Sequence, residues 1–296
     1  MKHKTAQDFD QELLILFDAY VHGTIDRRGF LEGAQKFAIA GMTAGMLLAA
    51  LNPNFAQAQQ VPENDKRLKT EYISFPSPTD NGTVKGYLVR PANATGRLPM
   101  VLVVHENRGL NPHIEDITRR IALDNFIAFA PDGLAPLGGY PGDEEKAREL
   151  FAKLDQDKVR EDFVAATSYL KSRPDGTGKV GVVGFCYGGG VAHMLSTRVP
   201  DLQAAVSFYG NHPANEAAVR VKAPLLIHFA GVDERINSTW PAYEAALKTA
   251  GVRYTTYKYL GTQHGFNNDT TPRFDATSAK LAWDRTMAFL NQHLRG

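Results

Sequence analysis

The chain has 296 residues, of which 43% are hydrophobic and 22% are charged, and its formal net charge is +1 at pH 7. This composition is typical of a globular protein, and the near-neutral charge gives no support for nucleic acid binding. Cys186 is the only cysteine in the sequence, so an internal disulfide is excluded.

Residues 1–58 have the order of parts expected of an export leader. The apolar stretch 37–51, FAIAGMTAGMLLAAL, is shorter than the about 20 residues that a membrane-spanning helix needs. Arg27 and Arg28 precede it, as in twin-arginine export signals, and Ala58 closes an A-x-A cleavage site after it. We predict a leader that is cleaved after Ala58, delivery to the bacterial periplasm, and no membrane span in the mature chain. The alternative is a buried alanine-rich helix.

The segment before the two arginines has its own pattern. In QDFDQELLILFDAYVHG, residues 7–23, apolar side chains recur at a spacing that predicts one face of an amphipathic helix. The sequence assigns this segment no role, and we expect it to leave with the leader.

Residues 59–296 are predicted to form one domain. Two alternating segments, 70–77 and 83–92, are separated by PTDNG and predict an antiparallel hairpin. The continuous apolar run Val101–Val104 is typical of a strand buried on both faces, and similar runs recur along the chain. Predicted helices alternate with these runs, which favours a mostly parallel sheet with right-handed connections. The fold class predicted is α/β, with the architecture of the α/β-hydrolases.

The residues around Cys186 fit a nucleophile elbow. In GFCYG, Gly184 and Gly188 flank the cysteine at positions where larger side chains would collide with the strand and the helix. A thiol there lies at a helix N-terminus, where the dipole favours the thiolate. The alternative is a small buried cysteine that only packs.

Two further residues follow predicted strands in the order that this chemistry requires. A nucleophile needs a base, and the base needs an acid that fixes its tautomer. Cys186, Asp233 and His264 have the chain order nucleophile, acid, base that α/β-hydrolases use. Asp132 is a rival acid, but the turn chemistry of Asp-Gly accounts for it. The histidines show no metal-ligand spacing, and no cofactor is implied.

The segments HENRGLN, APDGLAP, KVGVVGFCYGGG, FAGVDERI and TQHGF together resemble the dienelactone hydrolase family, the carboxymethylenebutenolidases. The resemblance covers residues 72–294. It implies a Cys–His–Asp triad at Cys186, His264 and Asp233, with a glutamate at Glu106 near the thiol.

The residues also suggest how the site would be completed. A carboxylate at Glu106 can hold the thiol proton in the resting state and accept it when substrate binds. The alternative for Glu106 is a salt-bridged residue at the start of a loop. The oxyanion hole is predicted from the backbone N–H groups of Tyr187 and Asn107.

One departure from the family affects the substrate. Members that act on dienelactone hold its carboxylate with arginines in two loops, and here those loops read GLAPLGGYPGD and HGFNND. Arg108 and Arg273 are possible replacements that the sequence does not place. We therefore predict hydrolysis of a small ester or lactone through an acyl-thioester. The alternatives are another acyl or halogenated substrate on the same fold, or a non-catalytic binding protein; the sequence does not indicate the oligomeric state.

Overall fold

A computed structural model describes residues 4–38 and 41–296; residues 1–3, and residues 39–40 of the apolar stretch of the predicted leader, lie outside the described residues. The N-terminal part is helical. Its α-helices are α1 (Gln11–Val21), α2 (Arg27–Ala34), α3 (Ala44–Leu51) and α4 (Phe55–Ala58).

The rest of the described chain is built on one twisted sheet, in the spatial order β1-β2-β4-β3-β5-β6-β7-β8. The strands, in chain order, are β1 (Leu68–Pro76), β2 (Thr83–Pro91), β3 (Leu98–Val104), β4 (Ile127–Pro131), β5 (Gly176–Phe185), β6 (Ala204–Phe208), β7 (Leu225–Val232) and β8 (Tyr254–Gln263). The pairs β1–β2 and β2–β4 are antiparallel, and the other pairs are parallel. The predicted α/β-hydrolase fold with its leading hairpin is confirmed.

Helices connect the parallel strands and cover both faces of the sheet. They are α5 (Pro112–Leu123), α6 (Glu144–Phe151), α7 (Gln156–Ser172), α8 (Tyr187–Arg198), α9 (Glu234–Asn237), α10 (Trp240–Thr249) and α11 (Ala276–Arg295). Local sequence sets their starts: Asn111 caps α5 ahead of Pro112, and Asp275 caps α11.

Two hydrophobic cores lie on the two faces of the sheet, which explains the continuous apolar strands. Val101 and Val103 point into one core, and Leu102 and Val104 point into the other. All four side chains are fully buried, as expected for a strand covered by helices on both faces.

The N-terminal helices form a third, smaller core of their own. Its buried residues are Leu13, Leu14, Phe17, Tyr20, Phe30, Ala34, Leu47, Leu48 and Leu51. The amphipathic helix predicted before the two arginines is therefore present as α1. Among the described residues, no helix has both the length and the hydropathy to cross a membrane.

Candidate active site

Cys186 occupies a strained turn between β5 and α8. Its backbone has φ 53° and ψ −111°, a conformation that a non-glycine residue rarely adopts. A Cβ atom on Gly184 would lie 1.8 Å from the Gly188 carbonyl oxygen, and one on Gly188 would lie 2.2 Å from that of Val104. The flanking glycines are required by close backbone approach, as the elbow pattern predicts.

Asp233 and His264 meet beside the thiol. Asp233 follows β7, and its carboxylate also caps α9 by accepting from the Ile236 N–H. The Asp233 Oδ2 atom lies 2.6 Å from His264 Nδ1, and both side chains are buried. His264 follows β8, and its buried Nε2 atom lacks a well-aligned hydrogen-bond partner within the described structure. That nitrogen is therefore available for the thiol or for a substrate.

The electrostatics of the site favour a thiolate–imidazolium pair. Burial alone would raise the pKa of the Cys186 thiol, but the charges of His264 and His22, with the hydrogen bond from His22, lower it to about 6. Burial alone would lower the pKa of His264, but attraction to the Cys186 thiolate and the hydrogen bond to Asp233 raise it to about 10. Between these values the sulfur is an anion and the imidazole carries its proton.

A second histidine, from the N-terminal helices, contacts the same sulfur. His22 ends α1, and its Nε2 atom lies 3.4 Å from Cys186 Sγ. Its Nδ1 atom lies 2.8 Å from the backbone carbonyl of Asp18, one helical turn earlier, and 3.2 Å from the Asp18 carboxylate. Sequence reasoning did not identify these two residues because it assigned the segment to a leader. The signal was present: an aspartate and a histidine four residues apart share one helix face.

His22, Cys186 and His264 also have the donor types of a metal site. Their nearest ligand atoms lie within 4.8 Å of one another, close enough for a metal ion to bridge. However, the Arg235 Nη2 atom lies 3.1 Å from His22 Nε2 and 3.4 Å from His264 Nδ1. A guanidinium in that position repels a cation and competes for the ligand lone pair, so the arrangement favours proton transfer over metal binding.

The remaining predicted site residues, Glu106, Tyr187 and Asn107, lie around Cys186. Glu106 follows β3 and accepts a 2.8 Å hydrogen bond from the side chain of Asn268, so its role as proton acceptor for the thiol stays a prediction. Tyr187 is the first residue of α8, where backbone N–H groups lack intrahelical partners. The Asn107 side chain donates to the Val21 carbonyl at 2.9 Å. The oxyanion role of the Tyr187 and Asn107 N–H groups also stays a prediction.

Cys186 borders a small cavity of about 180 Å³, beside His22 and Arg235, and two larger ones. Of the two larger cavities, one, of about 340 Å³, lies between the N-terminal helices and the pair Cys186 and His264, and both Arg108 and Arg273 border it. The other, of about 490 Å³, lies on the α8 side and is bordered by Met194 and His212, among others. Arg108 and Arg273, whose positions the sequence does not predict, therefore both lie at a cavity beside Cys186.

Asp132 and His193 do not belong to this arrangement. The Asp132 carboxylate accepts from the backbone N–H groups of Leu110, Leu134 and Tyr140, so it organises its own loop. This agrees with the turn role expected from Asp-Gly. His193 is buried within α8, where burial lowers its pKa to about 3 and keeps it neutral.

The model of the dienelactone hydrolase family matches residues 84–294 of the chain. The chain belongs to the dienelactone hydrolase family. A candidate carboxymethylenebutenolidase from Escherichia coli O157:H7 is 30% identical over 259 residues, which are 82% of this chain and 94% of that one. The family and these relatives support a hydrolase that acts on esters or lactones.

A solved structure agrees with this assignment. The candidate dienelactone hydrolase from Klebsiella pneumoniae is 29% identical and superposes with a TM-score of 0.69, covering 76% of this chain and 99% of that one. The resemblance inferred from the motifs is therefore confirmed at the level of family and fold.

The N-terminal part has a match of its own. Residues 1–38 match a family model described as YqhI-like. A candidate hydrolase fragment, YghX, from Escherichia coli K12 is 54% identical over 114 residues, which are 38% of this chain and 97% of that one. The division into residues 1–58 and 59–296 and the predicted cleavage stay predictions.

Proposed function

We propose that the chain hydrolyses a small ester or lactone with Cys186 as the nucleophile, His264 as the general acid and base, and Asp233 as the residue that orients His264. The observation that carries this proposal is the Asp233–His264 contact beside a cysteine on a strained elbow. Each of the three residues, taken alone, could have a purely structural role. Catalysis explains why all three lie together at one site.

The proposed reaction has two half-reactions. The thiolate of Cys186 attacks the acyl carbon, and the oxyanion that forms is bound by the Tyr187 and Asn107 N–H groups, which would contribute about 3–4 kcal/mol each. His264 then gives its proton to the leaving alkoxide, which leaves an acyl-thioester. In the second half-reaction His264 takes a proton from water, the hydroxide attacks the thioester, and the thiolate is released with the acid product.

The charges around the cavity support a neutral substrate. Arg273 Nη1 lies 3.3 Å from the Asp18 carboxylate, and Arg108 Nε lies 3.7 Å from the carboxylate of Glu144. Glu144 therefore partly neutralises Arg108, and Asp18 partly neutralises Arg273 while the N-terminal helices are docked. A substrate carboxylate would have to displace an acidic partner, whereas an uncharged ester would not.

The proposal is tested on purified full-length protein with p-nitrophenyl acetate. We expect Cys186→Ala to abolish turnover, and we expect a p-nitrophenyl ester with a free carboxylate on its acyl chain to give a lower kcat/KM than the acetate in the wild type. The matched control is His293→Gln on α11, which should retain activity.

Two outcomes would contradict the proposal. Equal hydrolysis by the wild type and Cys186→Ala would exclude the thiol as nucleophile. A wild type that turns over no member of a broad panel of esters and lactones would favour the alternatives, which are a halogenated or other acyl substrate or a non-catalytic binding protein.

We also propose that residues 1–58 direct twin-arginine export to the periplasm. The motif order supports this, and Arg27 and Arg28 are both exposed at the start of α2. Replacing both with lysine should trap the precursor in the cytoplasm, and sequencing of the exported wild type should begin at Gln59. Unchanged delivery of the lysine variant would exclude the twin-arginine route.

A further inference from the structure

The N-terminal helices are held on the active site by polar contacts. Asp18 pairs with Arg273 at 3.3 Å, and the carbonyl of Val21 accepts from the Asn107 side chain at 2.9 Å. Tyr20 also donates a hydrogen bond to Glu145. These contacts all lie on the last turn of α1, so they hold that end of the helix against the domain.

This docking places His22 beside Cys186, on the sulfur that His264 also approaches. His22 Nε2 lies 3.4 Å from Cys186 Sγ, and its other nitrogen faces Asp18. The rings of His22 and His264 meet edge to face, with centroids 4.7 Å apart. One sulfur is therefore approached by two imidazoles, and each imidazole has a carboxylate behind it.

We propose that Asp18 and His22 form a second carboxylate–histidine pair that acts on the Cys186 thiol, so that α1 is part of the active site of the full-length chain until residues 1–58 are removed. The inference rests on the proposed function of Cys186 as a nucleophile. In this arrangement His22 accepts or shares the thiol proton, and its N–H then stabilises the sulfur anion. Asp18 holds the ring in place and stabilises its charged form.

The charges that face His22 decide whether this pair can work. Burial alone would lower the pKa of His22, and the neighbouring charge of His264 also lowers it, but the Cys186 thiolate and Asp18 raise it overall. The Arg235 Nη2 atom lies 3.1 Å from His22 Nε2, so its guanidinium opposes protonation of His22 and competes with the thiol for that nitrogen. The charged or titratable groups around the two imidazoles and the thiol are Asp18, Glu106, Tyr209, Asp233, Arg235 and Arg273.

The test uses the single cysteine as its own probe. Alkylation of full-length protein by iodoacetamide is followed as a function of pH, together with the ultraviolet absorbance of the thiolate. The midpoint of each profile reports the charge stabilisation of the thiolate, and the plateau rate reports access to the sulfur. Because Cys186 is the only cysteine, both signals belong to it.

We expect His22→Gln to move the midpoint upward by about one pH unit, since an opposite charge within hydrogen-bond reach shifts a pKa by about 1–3 units. At pH 6 the alkylation rate, relative to its plateau, should fall several-fold. Asp18→Asn should move the midpoint in the same direction by a smaller amount. The matched control is again His293→Gln, which should leave the midpoint unchanged.

An unchanged midpoint in both N-terminal variants would overturn the inference. A faster plateau with an unchanged midpoint would also overturn it, because α1 would then only cover the thiol. Neither measurement involves ester turnover. An unchanged midpoint would therefore overturn the role of His22 without affecting the separate test of Cys186 as the nucleophile.

Discussion

The central sheet and the N-terminal helices both place a histidine beside Cys186, but the two regions hold their histidines by different means. His264 and Asp233 follow strands β8 and β7, whose places are set by the cores of the sheet. His22 belongs to helices with a separate small core, which reach the domain through side-chain contacts such as Asp18–Arg273. The first arrangement is built into the fold, whereas the second depends on docking.

The largest effect is expected from removing the imidazole that belongs to the fold. His264→Gln should lower kcat by about 1,000-fold, because general acid–base catalysis contributes about 10²–10⁴-fold. The loss under His22→Gln should be far smaller, because His264 still serves the leaving group. Steady-state kinetics on p-nitrophenyl acetate measure kcat for both variants. Equal losses of kcat would show that the two histidines contribute equally to turnover.

A pair of glycine substitutions compares the packing of the two regions. A Cβ atom on Gly188 would lie 2.2 Å from the Val104 carbonyl oxygen, whereas one on Gly45 in α3 would lie 3.8 Å from its nearest neighbour, Thr43 Oγ1. Gly188→Ala should lower the free energy of unfolding by about 2–3 kcal/mol, since backbone must move to relieve the clash. Gly45→Ala should leave it unchanged or raise it by up to about 1 kcal/mol. Urea unfolding measures the free energy of unfolding of both variants. A Gly188→Ala variant as stable as the wild type would contradict the close backbone packing at the elbow.

The pH dependence of kcat/KM tests whether Cys186 and His264 form a thiolate–imidazolium pair. The pKa of Cys186 is lowered to about 6, so kcat/KM should rise as pH increases through that value and the thiolate forms. The pKa of His264 is raised to about 10, so activity should fall above it as the proton for the leaving group is lost. A profile that instead rises only near the ordinary thiol pKa of about 8.5 would show that the pair does not form.

The smallest effect is expected on the exposed face of α2. Arg28 pairs with Glu32 at 2.8 Å, but their side chains are 85% and 61% exposed. Arg28→Ala should therefore change the free energy of unfolding by less than about 0.5 kcal/mol. The stability of Arg28→Ala serves as the folding control for the export test. If it is unchanged, a loss of export on changing the arginine pair is not explained by unfolding. A large loss of stability would contradict the exposed position.

Much of the catalytic arrangement could be predicted from the sequence because its signals are local. The glycines around Cys186 report a turn without space for side chains, and polar residues after buried strands collect at one edge of a parallel sheet. Asp18 and His22 could not be predicted in the same way. Their partners lie more than 160 residues away along the chain, and the apolar pattern around them equally suits a leader.

The α/β fold, the family and the order Cys186, Asp233, His264 can all be inferred from the amino-acid sequence, since each depends on patterns within short segments. The folded chain is needed to see that Arg108 and Arg273 border the cavity, that Glu106 contacts Asn268, and that His22 contacts Cys186. These contacts join segments far apart in the chain. They depend on how α1 docks and how the loops after the strands pack, which no local pattern specifies.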